Sequence, residues 1–343
     1  IIIYMSETKL VDPDYYILQD KDKFYNWVYP TYEKTFYESH INAKNPDFIE
    51  SSGQQFVKNF LVHSPYRAIL LYHGLGVGKT CAAIVSAEEF IDQKHVLLFI
   101  PASLKQNWLK ELPFCGDPIY NDKNMIFKNY TFINYNSSGI KNVYQKNNGI
   151  INNFYLGSVV NYEKNEETGS GVIIQIVSGT FSENKYEPNI IIVEEGDKTI
   201  ELSIKDDKVS LDNKDKINPF DNKIVIFDEV HNFIVGIGNI IKKTNKSFIQ
   251  QVKLSVYNDL KNAINCKIIM LSGTPIVNNV YELSYISNIL NGANLIYKFQ
   301  FLVLEGNVLK QIKQINSILL NDVNYINYIN TEFENNKLNI YIT

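Results

Sequence analysis

The stretch that decides the fold of this chain is Leu70-Leu71-Tyr72-His73-Gly74-Leu75-Gly76-Val77-Gly78-Lys79-Thr80. An apolar run ends in alternating glycines, and Lys79-Thr80 is followed by a helix-compatible segment from Cys81 to Asp92. Glycines permit a turn in which successive backbone N–H groups face one anion, and the positive N-terminal end of the next helix favours the same anion. The order of strand, glycine loop and helix therefore predicts a phosphate-binding loop.

This loop contains the residue types that bind the phosphates of a nucleotide. Lys79 can reach the β- and γ-phosphates, and the Thr80 hydroxyl can hold Mg²⁺. The strict motif has a glycine where this chain has His73. A glycine turn without a ligand is the alternative interpretation, but the strand before the loop and the helix after it favour a nucleotide site. The remaining predicted nucleotide contacts in the loop are Gly74, Gly76, Val77, Gly78 and Cys81.

Composition places the chain among globular proteins with a substantial core. It has 343 residues, of which 45% are hydrophobic, and a formal net charge of −4. That charge argues against a uniformly basic surface but leaves room for a local basic groove. Three cysteines without a Cys-x-x-Cys pair argue against a disulfide framework or a zinc site and favour a reducing compartment. No apolar run approaches the ~20 residues of a membrane span, and the first five residues are too short for a secretion signal.

Elements of alternating type indicate an α/β domain with an insertion. Strands and helices alternate before residue 147 and after residue 218, which predicts a parallel sheet covered on both faces. Residues 147–218 instead contain short strand patterns separated by turn-forming clusters, and these favour an antiparallel meander in a small β-sandwich or open barrel. The predicted segments are an N-terminal extension 1–50, an α/β domain in two parts 51–146 and 219–292, the inserted β-rich subdomain 147–218 and a C-terminal segment 293–343.

Polar side chains with catalytic potential follow two further strands. Asp228-Glu229 ends the apolar run that begins at Lys223, and Ser272-Gly273-Thr274 ends another. The carboxyl ends of parallel strands meet at one edge, so both groups are expected beside the phosphate loop. Asp228 would hold Mg²⁺, and Glu229 would orient or deprotonate an attacking water. His231 would bond toward Ser272 and Thr274 and couple them to the nucleotide.

These stretches resemble superfamily 2 helicases and translocases. His73 to Thr80 is similar to motif I, whose first position in that superfamily is often not glycine. Asp228-Glu229-Val230-His231 resembles the DExH form of motif II, and Ser272-Gly273-Thr274 resembles motif III. Ile100-Pro101-Ala102-Ser103-Leu104 resembles motif Ia, so the resemblance implies that Pro101 and Ser103 contact a nucleic-acid backbone. Gln54 falls where the family has its adenine-reading glutamine. The implied fold is a RecA-like lobe of the phosphate-loop NTPases, binding ATP and Mg²⁺.

The sequence around the three motifs resembles one group within this superfamily. Residues 50–140 and 220–292 look like the helicases of large DNA viruses, above all poxvirus-type nucleoside triphosphate phosphohydrolase I and early-transcription-factor ATPases. This implies a viral ATP hydrolase that acts on DNA or RNA in transcription. It also implies viral RNA polymerase or other transcription proteins as partners, and the host cytoplasm or the virion as location. The insertion 147–218 lies outside the resemblance.

Arginine content bears on what the chain does alone. The only arginine is Arg67, which precedes the first strand, at the end opposite the phosphate loop. Family members carry phosphoryl-stabilising arginines on a second RecA-like lobe, so we expect this chain to be the first lobe, with slow hydrolysis by itself. Two alternatives stay open: a non-catalytic nucleotide-binding interaction module and a chromatin-remodeller-like duplex DNA translocase.

Overall fold

The structure is a computed structural model that describes residues 40–41, 44–64, 66–74, 76–136, 138–144, 154–182, 185–211, 218–292, 297–302, 329–334 and 337–342. Thr35–Gly292 forms one compact unit, and the described strands beyond Gly292 belong to a second unit. The aromatic residues of the predicted N-terminal extension up to residue 39 lie outside the described residues.

Seven α-helices and fifteen strands are described. The helices are α1 Ser52–His63, α2 Lys79–Glu88, α3 Lys105–Cys115, α4 Lys123–Asn129, α5 Val230–Ile241, α6 Phe248–Asn262 and α7 Tyr281–Asn291. The strands are β1 His40–Ile41, β2 Ile49–Glu50, β3 Ala68–Tyr72, β4 His95–Ile100, β5 Tyr130–Asn134, β6 Val159–Lys164, β7 Glu167–Ser182, β8 Lys185–Glu195, β9 Lys198–Ser203, β10 Ser210–Leu211, β11 Lys223–Phe227, β12 Lys267–Ser272, β13 Tyr297–Leu302, β14 Ile329–Glu334 and β15 Lys337–Ile342.

A five-stranded parallel sheet forms the centre of the larger unit. Its strand order is β3-β12-β11-β4-β5, and every neighbouring pair is parallel. The middle strands β4 and β11 are buried at every residue, which explains why their sequences are continuous apolar runs rather than alternating ones. The predicted α/β fold with a doubly covered parallel sheet is confirmed.

Two hydrophobic clusters cover the two faces of this sheet. One face packs against α2 and α3 and includes the fully buried Trp108, and α1 adds Leu61. The other face packs against α5, α6 and α7, with Phe227 and Phe233 among its aromatic residues. Burial on both faces is the arrangement expected of helices that cross over between parallel strands.

The insertion is a single antiparallel sheet. Its order is β10-β6-β7-β8-β9, and it has its own small core around Val160, Ile173 and Leu202. The antiparallel meander is confirmed, and because its described strands form one sheet rather than two packed sheets, the sandwich alternative is wrong for the described residues. The strand β6 was not predicted from the sequence. Its polar residues Asn161, Glu163 and Lys164 weaken the strand pattern.

Further observations concern the helices and the C-terminal strands. Helix α5 follows directly after the acids at the end of β11 and was not predicted, since Gly236 and Gly238 weaken a helical reading. Ser103 lies inside a short 3₁₀ turn, Ala102–Leu104, and Leu104 is the N-cap of α3. In the second unit, β13, β15 and β14 form an antiparallel sheet with β15 in the middle. Among the described helices none has the length and apolar character needed to cross a membrane.

The single arginine has a structural role at the amino edge of the sheet. Its guanidinium donates to the carbonyl oxygens of Leu260 at 2.6 Å and Lys261 at 3.0 Å, in the last turn of α6. A cation that satisfies the last carbonyls of a helix also interacts favourably with the helix dipole. Arg67 therefore stabilises the fold at the end opposite the phosphate loop, as its position before β3 predicts.

Candidate active site

The candidate residues follow the carboxyl ends of all five strands of the parallel sheet. The phosphate loop follows β3, and Ser272 to Thr274 end or follow β12, the neighbour of β3. Asp228-Glu229 follows β11, Pro101 to Ser103 follows β4, and Tyr135 follows β5. Ser272 is in register with Tyr72, so motif III lies beside the start of the phosphate loop. Topology alone therefore brings residues distant in sequence to one edge.

The phosphate loop has the backbone that its glycines allow. Gly76 and Gly78 have φ of 76° and 78°, in the left-handed region that favours glycine. Gly78 is the N-cap of α2, so the N-terminal N–H groups of that helix face the loop. The Lys79 ammonium donates to the carbonyl oxygens of His73 and Gly74, at 2.8 Å each. Lys79 thus spans the loop at the place where a phosphate would be bound.

Gln54 lies against this loop. It is the third residue of the capping box that begins α1, where its carbonyl oxygen accepts from the Ser51 N–H at 2.8 Å. Its amide nitrogen lies 3.4 Å from the Gly78 carbonyl oxygen. A Cβ on Gly78 would lie 2.9 Å from that nitrogen, so the contact requires glycine at 78. Gln54 therefore borders the loop, and the adjacent Gln55 is buried within α1.

Cys81 is joined to Cys115 by a disulfide, with Cα atoms 5.3 Å apart. The cysteine count argued against a disulfide framework, and this single pair was not identified from the sequence, because a separation of 34 residues carries no recognisable pattern. The link connects the first turn of α2 to the last turn of α3, and a Glu111 oxygen lies 3.4 Å from both sulphurs. The backbone N–H of Cys81 remains at the helix N-terminus, where it was predicted to face a phosphate.

Asp228 is a buried carboxylate held by two donors. One oxygen accepts from the backbone N–H of Glu229 at 3.0 Å, and the other accepts from the indole N–H of Trp108 at 2.8 Å. Burial raises the pKa of the Asp228 carboxyl above its ordinary value, and the Trp108 hydrogen bond opposes that rise. The nearby charge of Lys79 also lowers this pKa. The carboxylate therefore has a fixed orientation and a cationic neighbour.

Glu229 has an unusual backbone conformation at the start of α5. Its φ and ψ are both 50°, in the left-handed region, which is costly for a residue with a side chain. The hydroxyl of Tyr135 lies 2.8 Å from the Asp228 carbonyl oxygen and 2.9 Å from that of Glu229, so its one proton is shared between them. Tyr135 therefore stabilises the strained backbone that directs the Glu229 side chain.

His231 joins Glu229 to motif III. Its Nδ1 lies 3.2 Å from a Glu229 oxygen and 3.0 Å from the Ser272 hydroxyl. The Ser272 hydroxyl also accepts from the Thr274 N–H at 3.1 Å. A protonated Nδ1 donates to the Glu229 carboxylate, to the Ser272 oxygen or to both, whereas an unprotonated Nδ1 accepts from the Ser272 hydroxyl. The predicted group of His231, Ser272 and Thr274 is thus brought together.

The oxygen donors at this edge suit Mg²⁺. This ion prefers hard oxygen ligands, and the Asp228 carboxylate and the Thr80 hydroxyl are such groups. Both Asp228 oxygens keep a further lone pair after the hydrogen bonds described above. Thr80 is the second residue of α2, next to Lys79. The residues present therefore fit the metal that the sequence implied.

Comparisons with known proteins find viral proteins similar to this chain. No protein-family profile matches the chain. A protein of Acanthamoeba polyphaga mimivirus described as an ATP-dependent RNA helicase is 25% identical over 289 residues, which are 83% of this chain and 39% of that protein. A second mimivirus protein with the same description is 27% identical over 262 residues, 72% of this chain and 19% of its own. Nucleoside triphosphatase I of Melanoplus sanguinipes entomopoxvirus is 35% identical over 107 residues, 30% of this chain and 16% of its own.

The chain is related to viral superfamily 2 helicases. The chain spans 39% and 19% of the lengths of the two mimivirus proteins. The predicted relationship to viral helicases is therefore confirmed.

Pro101 and Ser103, which are predicted to contact a nucleic-acid backbone, are accessible to solvent. Ser103 is exposed and Pro101 is half-buried, at the point where β4 ends and α3 is about to begin. Both residues lie at the same edge as the phosphate loop, one strand beyond Asp228. Their contact with a nucleic acid remains a prediction.

Two side chains that contact the candidate residues could not be identified from the sequence. Trp108 and Tyr135 hold Asp228 and Glu229, yet they lie 120 and 94 residues away in the chain. Both are fully buried, as an aromatic core residue would be. The sequence offers one indication: the polar atom of a buried Trp or Tyr needs a hydrogen-bond partner. That requirement does not identify the partner.

Proposed function

We propose that this chain is the first RecA-like lobe of a viral nucleic-acid-dependent ATPase of the helicase or translocase type. The observation that carries the proposal is the joint placement of Lys79, Asp228 and Glu229 at one sheet edge, with His231 bridging Glu229 to Ser272. The relatives described as ATP-dependent RNA helicases and as nucleoside triphosphatase I support the same activity.

Each residue has a distinct chemical task in this proposal. The Lys79 ammonium exchanges its two loop carbonyls for phosphate oxygens, which are stronger partners because they are charged. Thr80 and Asp228 would hold Mg²⁺, which would supply positive charge beside the phosphates. Glu229 accepts hydrogen bonds from the attacking water and orients it. The Glu229 side chain is 26% exposed, so water can reach it.

Arginine content limits the rate that this lobe reaches alone. No arginine follows Arg67, and Arg67 is bonded to α6 at the other edge. An arginine that neutralises the transferring phosphoryl group contributes ~10³–10⁵ in rate in related phosphoryl-transfer enzymes. We therefore propose that the chain binds Mg-ATP and turns it over slowly, and that a second lobe supplies the missing cation. The proposed setting is viral transcription, on DNA or RNA.

The test is ATP turnover with and without DNA or RNA, for the wild-type chain and Glu229→Gln. We expect slow hydrolysis that Glu229→Gln abolishes while binding of a fluorescent ATP analogue persists. Binding without any hydrolysis, unchanged by Glu229→Gln, would support a non-catalytic nucleotide-binding module instead. Ser284→Ala, on the exposed side of α7, serves as a control for handling and folding.

A further inference from the structure

Trp108 connects the predicted nucleic-acid stretch to the predicted metal ligand. It lies in the first turns of α3, which begins two residues after Ser103. Its indole N–H donates to Asp228 across 2.8 Å, and its side chain is fully buried. A single helix therefore has the exposed motif Ia stretch at its start and a direct hydrogen bond to motif II a turn later.

The bond fixes which way the Asp228 carboxylate faces. One oxygen is held by the N–H of the next residue in its own chain, and the other is held by α3. A buried hydrogen bond to a charged group is worth more than a neutral one, and leaving either partner unsatisfied is costly. Asp228 must therefore follow a displacement of Trp108, or lose that bond.

The far end of α3 is anchored to the other wall of the nucleotide site. Cys115, the last residue of the helix, is bonded to Cys81, which directly follows Thr80. Leu112 packs in the same cluster as the buried residues of α2. Helix α3 thus contacts both α2 and Asp228. A tilt of α3 therefore changes the position of Asp228 relative to the N-terminus of α2.

We propose that Trp108 is a positioning residue through which contact of Pro101 and Ser103 with a nucleic-acid backbone alters the orientation of the Asp228 carboxylate. The inference rests on the proposed function, because it requires both ligands. Coupling of this kind is reciprocal: nucleic acid changes the affinity for nucleotide by the same factor as nucleotide changes the affinity for nucleic acid.

The experiment measures that factor. The affinity of the wild-type chain for a fluorescent ATP analogue with Mg²⁺ is determined with and without saturating oligonucleotide, as single-stranded DNA, duplex DNA and RNA of one sequence. We expect at least one of these to change the affinity by about fivefold or more, within the usual range of coupling between sites. In Trp108→Phe, which keeps a ring but removes the N–H, we expect the factor to fall close to one.

A ratio of affinities separates positioning from simple structural damage. The ratio compares the nucleotide affinity with and without oligonucleotide. A variant whose two binding sites are weakened independently keeps the wild-type ratio, so only a loss of coupling between the sites changes it. Tyr120→Phe is the matched control, since it removes one buried aromatic donor bonded to the buried Glu88, away from this edge. We expect Tyr120→Phe to keep the wild-type factor.

Two further measurements apply if Trp108→Phe does not fold. Benzothienylalanine at position 108 keeps the shape of the indole but has no N–H, and it should also abolish the coupling. The chain has two tryptophans, so Trp27→Phe leaves Trp108 as the single indole fluorophore. Its emission should change when Mg-nucleotide binds and change again when the oligonucleotide is added.

The outcomes distinguish this inference from the proposed function. If the wild-type chain shows coupling and Trp108→Phe or the benzothienylalanine variant retains it, Trp108 does not transmit it, and the proposed function stands. Trp108 fluorescence that does not change when either ligand binds leads to the same conclusion. If the wild-type chain binds no nucleotide, or binds nucleotide and nucleic acid without influence on each other, the inference is overturned together with the nucleic-acid dependence on which it rests.

Discussion

The hydroxyl of Tyr135 lies 2.9 Å from the carbonyl oxygen of Glu229, at a residue whose φ of 50° is unfavourable for a side chain. We expect Tyr135→Phe to lower kcat for ATP roughly five- to tenfold, because a hydrogen bond of this kind contributes about 1 kcal/mol and its loss lets the Glu229 backbone relax. The measurement is steady-state hydrolysis at saturating Mg-ATP.

Tyr130→Phe is the control for this change. Tyr130 is the first residue of β5, the strand that Tyr135 directly follows; it is similarly buried and donates to Glu88 rather than to the candidate site. Both variants should lose stability, but only Tyr135→Phe should lose kcat. Equal losses of kcat in the two variants would show that Tyr135 acts through general stability.

Ser272→Ala tests the bridge between motif II and motif III. Removing the hydroxyl takes away a contact with His231 and the acceptor for the Thr274 N–H. We expect the hydrolysis rate in the presence of nucleic acid to fall by roughly five- to tenfold more than the basal rate, the size of a typical coupling. Ser284→Ala removes an exposed hydroxyl and should behave as wild type. A uniform loss of both rates in Ser272→Ala would argue against a coupling role.

Lys223 predicts a pH-dependent stability. Burial lowers the pKa of Lys223 to about 8, below its ordinary value, because its ammonium has few charged partners to offset desolvation. Below pH 8 Lys223 is charged in both the folded and the unfolded state, and its burial lowers the stability of the folded state. This destabilisation disappears as the pH rises from about 8, the pKa in the folded state, to about 10.5, the pKa in the unfolded state.

The variant Lys223→Met should accordingly raise the free energy of unfolding at pH 7 by about 1–3 kcal/mol, net of the lost bond to the Asp221 carbonyl. This gain should shrink between pH 8 and pH 10.5. Urea unfolding of both proteins across that range is the measurement, and the difference between them removes the contribution of other groups. A gain that is constant with pH would show that packing, rather than charge burial, is responsible.

The disulfide makes a countable prediction. The chain has three cysteines, and the structure pairs Cys81 with Cys115 and leaves Cys266 as a buried thiol. Denatured, unreduced protein should therefore contain one titratable thiol, and reduced protein three. Closing this loop should contribute up to about 4 kcal/mol, so reducing agent or Cys115→Ser should lower the unfolding midpoint. Three thiols without reduction would contradict the pairing.

Sequence reasoning succeeded where one residue pattern determines the local structure. Strands β4 and β11 are buried on both faces and are therefore uninterrupted apolar runs, and the glycine loop after β3 permits only a narrow set of turns. Because parallel strands end at one edge, Lys79, Asp228 and Ser272 could be placed together from their positions alone.

The contacts that complete the site were beyond that reasoning. Trp108 and Tyr135 meet Asp228 and Glu229 only through the tertiary packing of α3 and of the turn that follows β5, and no local pattern records such a distance in sequence. The left-handed backbone of Glu229 is likewise imposed by the sheet edge and α5, since glutamate does not favour it. The pairing of Cys81 with Cys115 depends on how α2 lies beside α3.

Nucleotide binding by the phosphate loop tests the central claim most directly. The affinity for a fluorescent ATP analogue with Mg²⁺ is compared among the wild-type chain, Lys79→Ala and Lys242→Ala, an exposed lysine at the end of α5 that carries the same charge. The account predicts tight binding by the wild-type chain and Lys242→Ala, and loss of binding by Lys79→Ala with an unchanged unfolding midpoint. Unchanged affinity in a folded Lys79→Ala variant would contradict it.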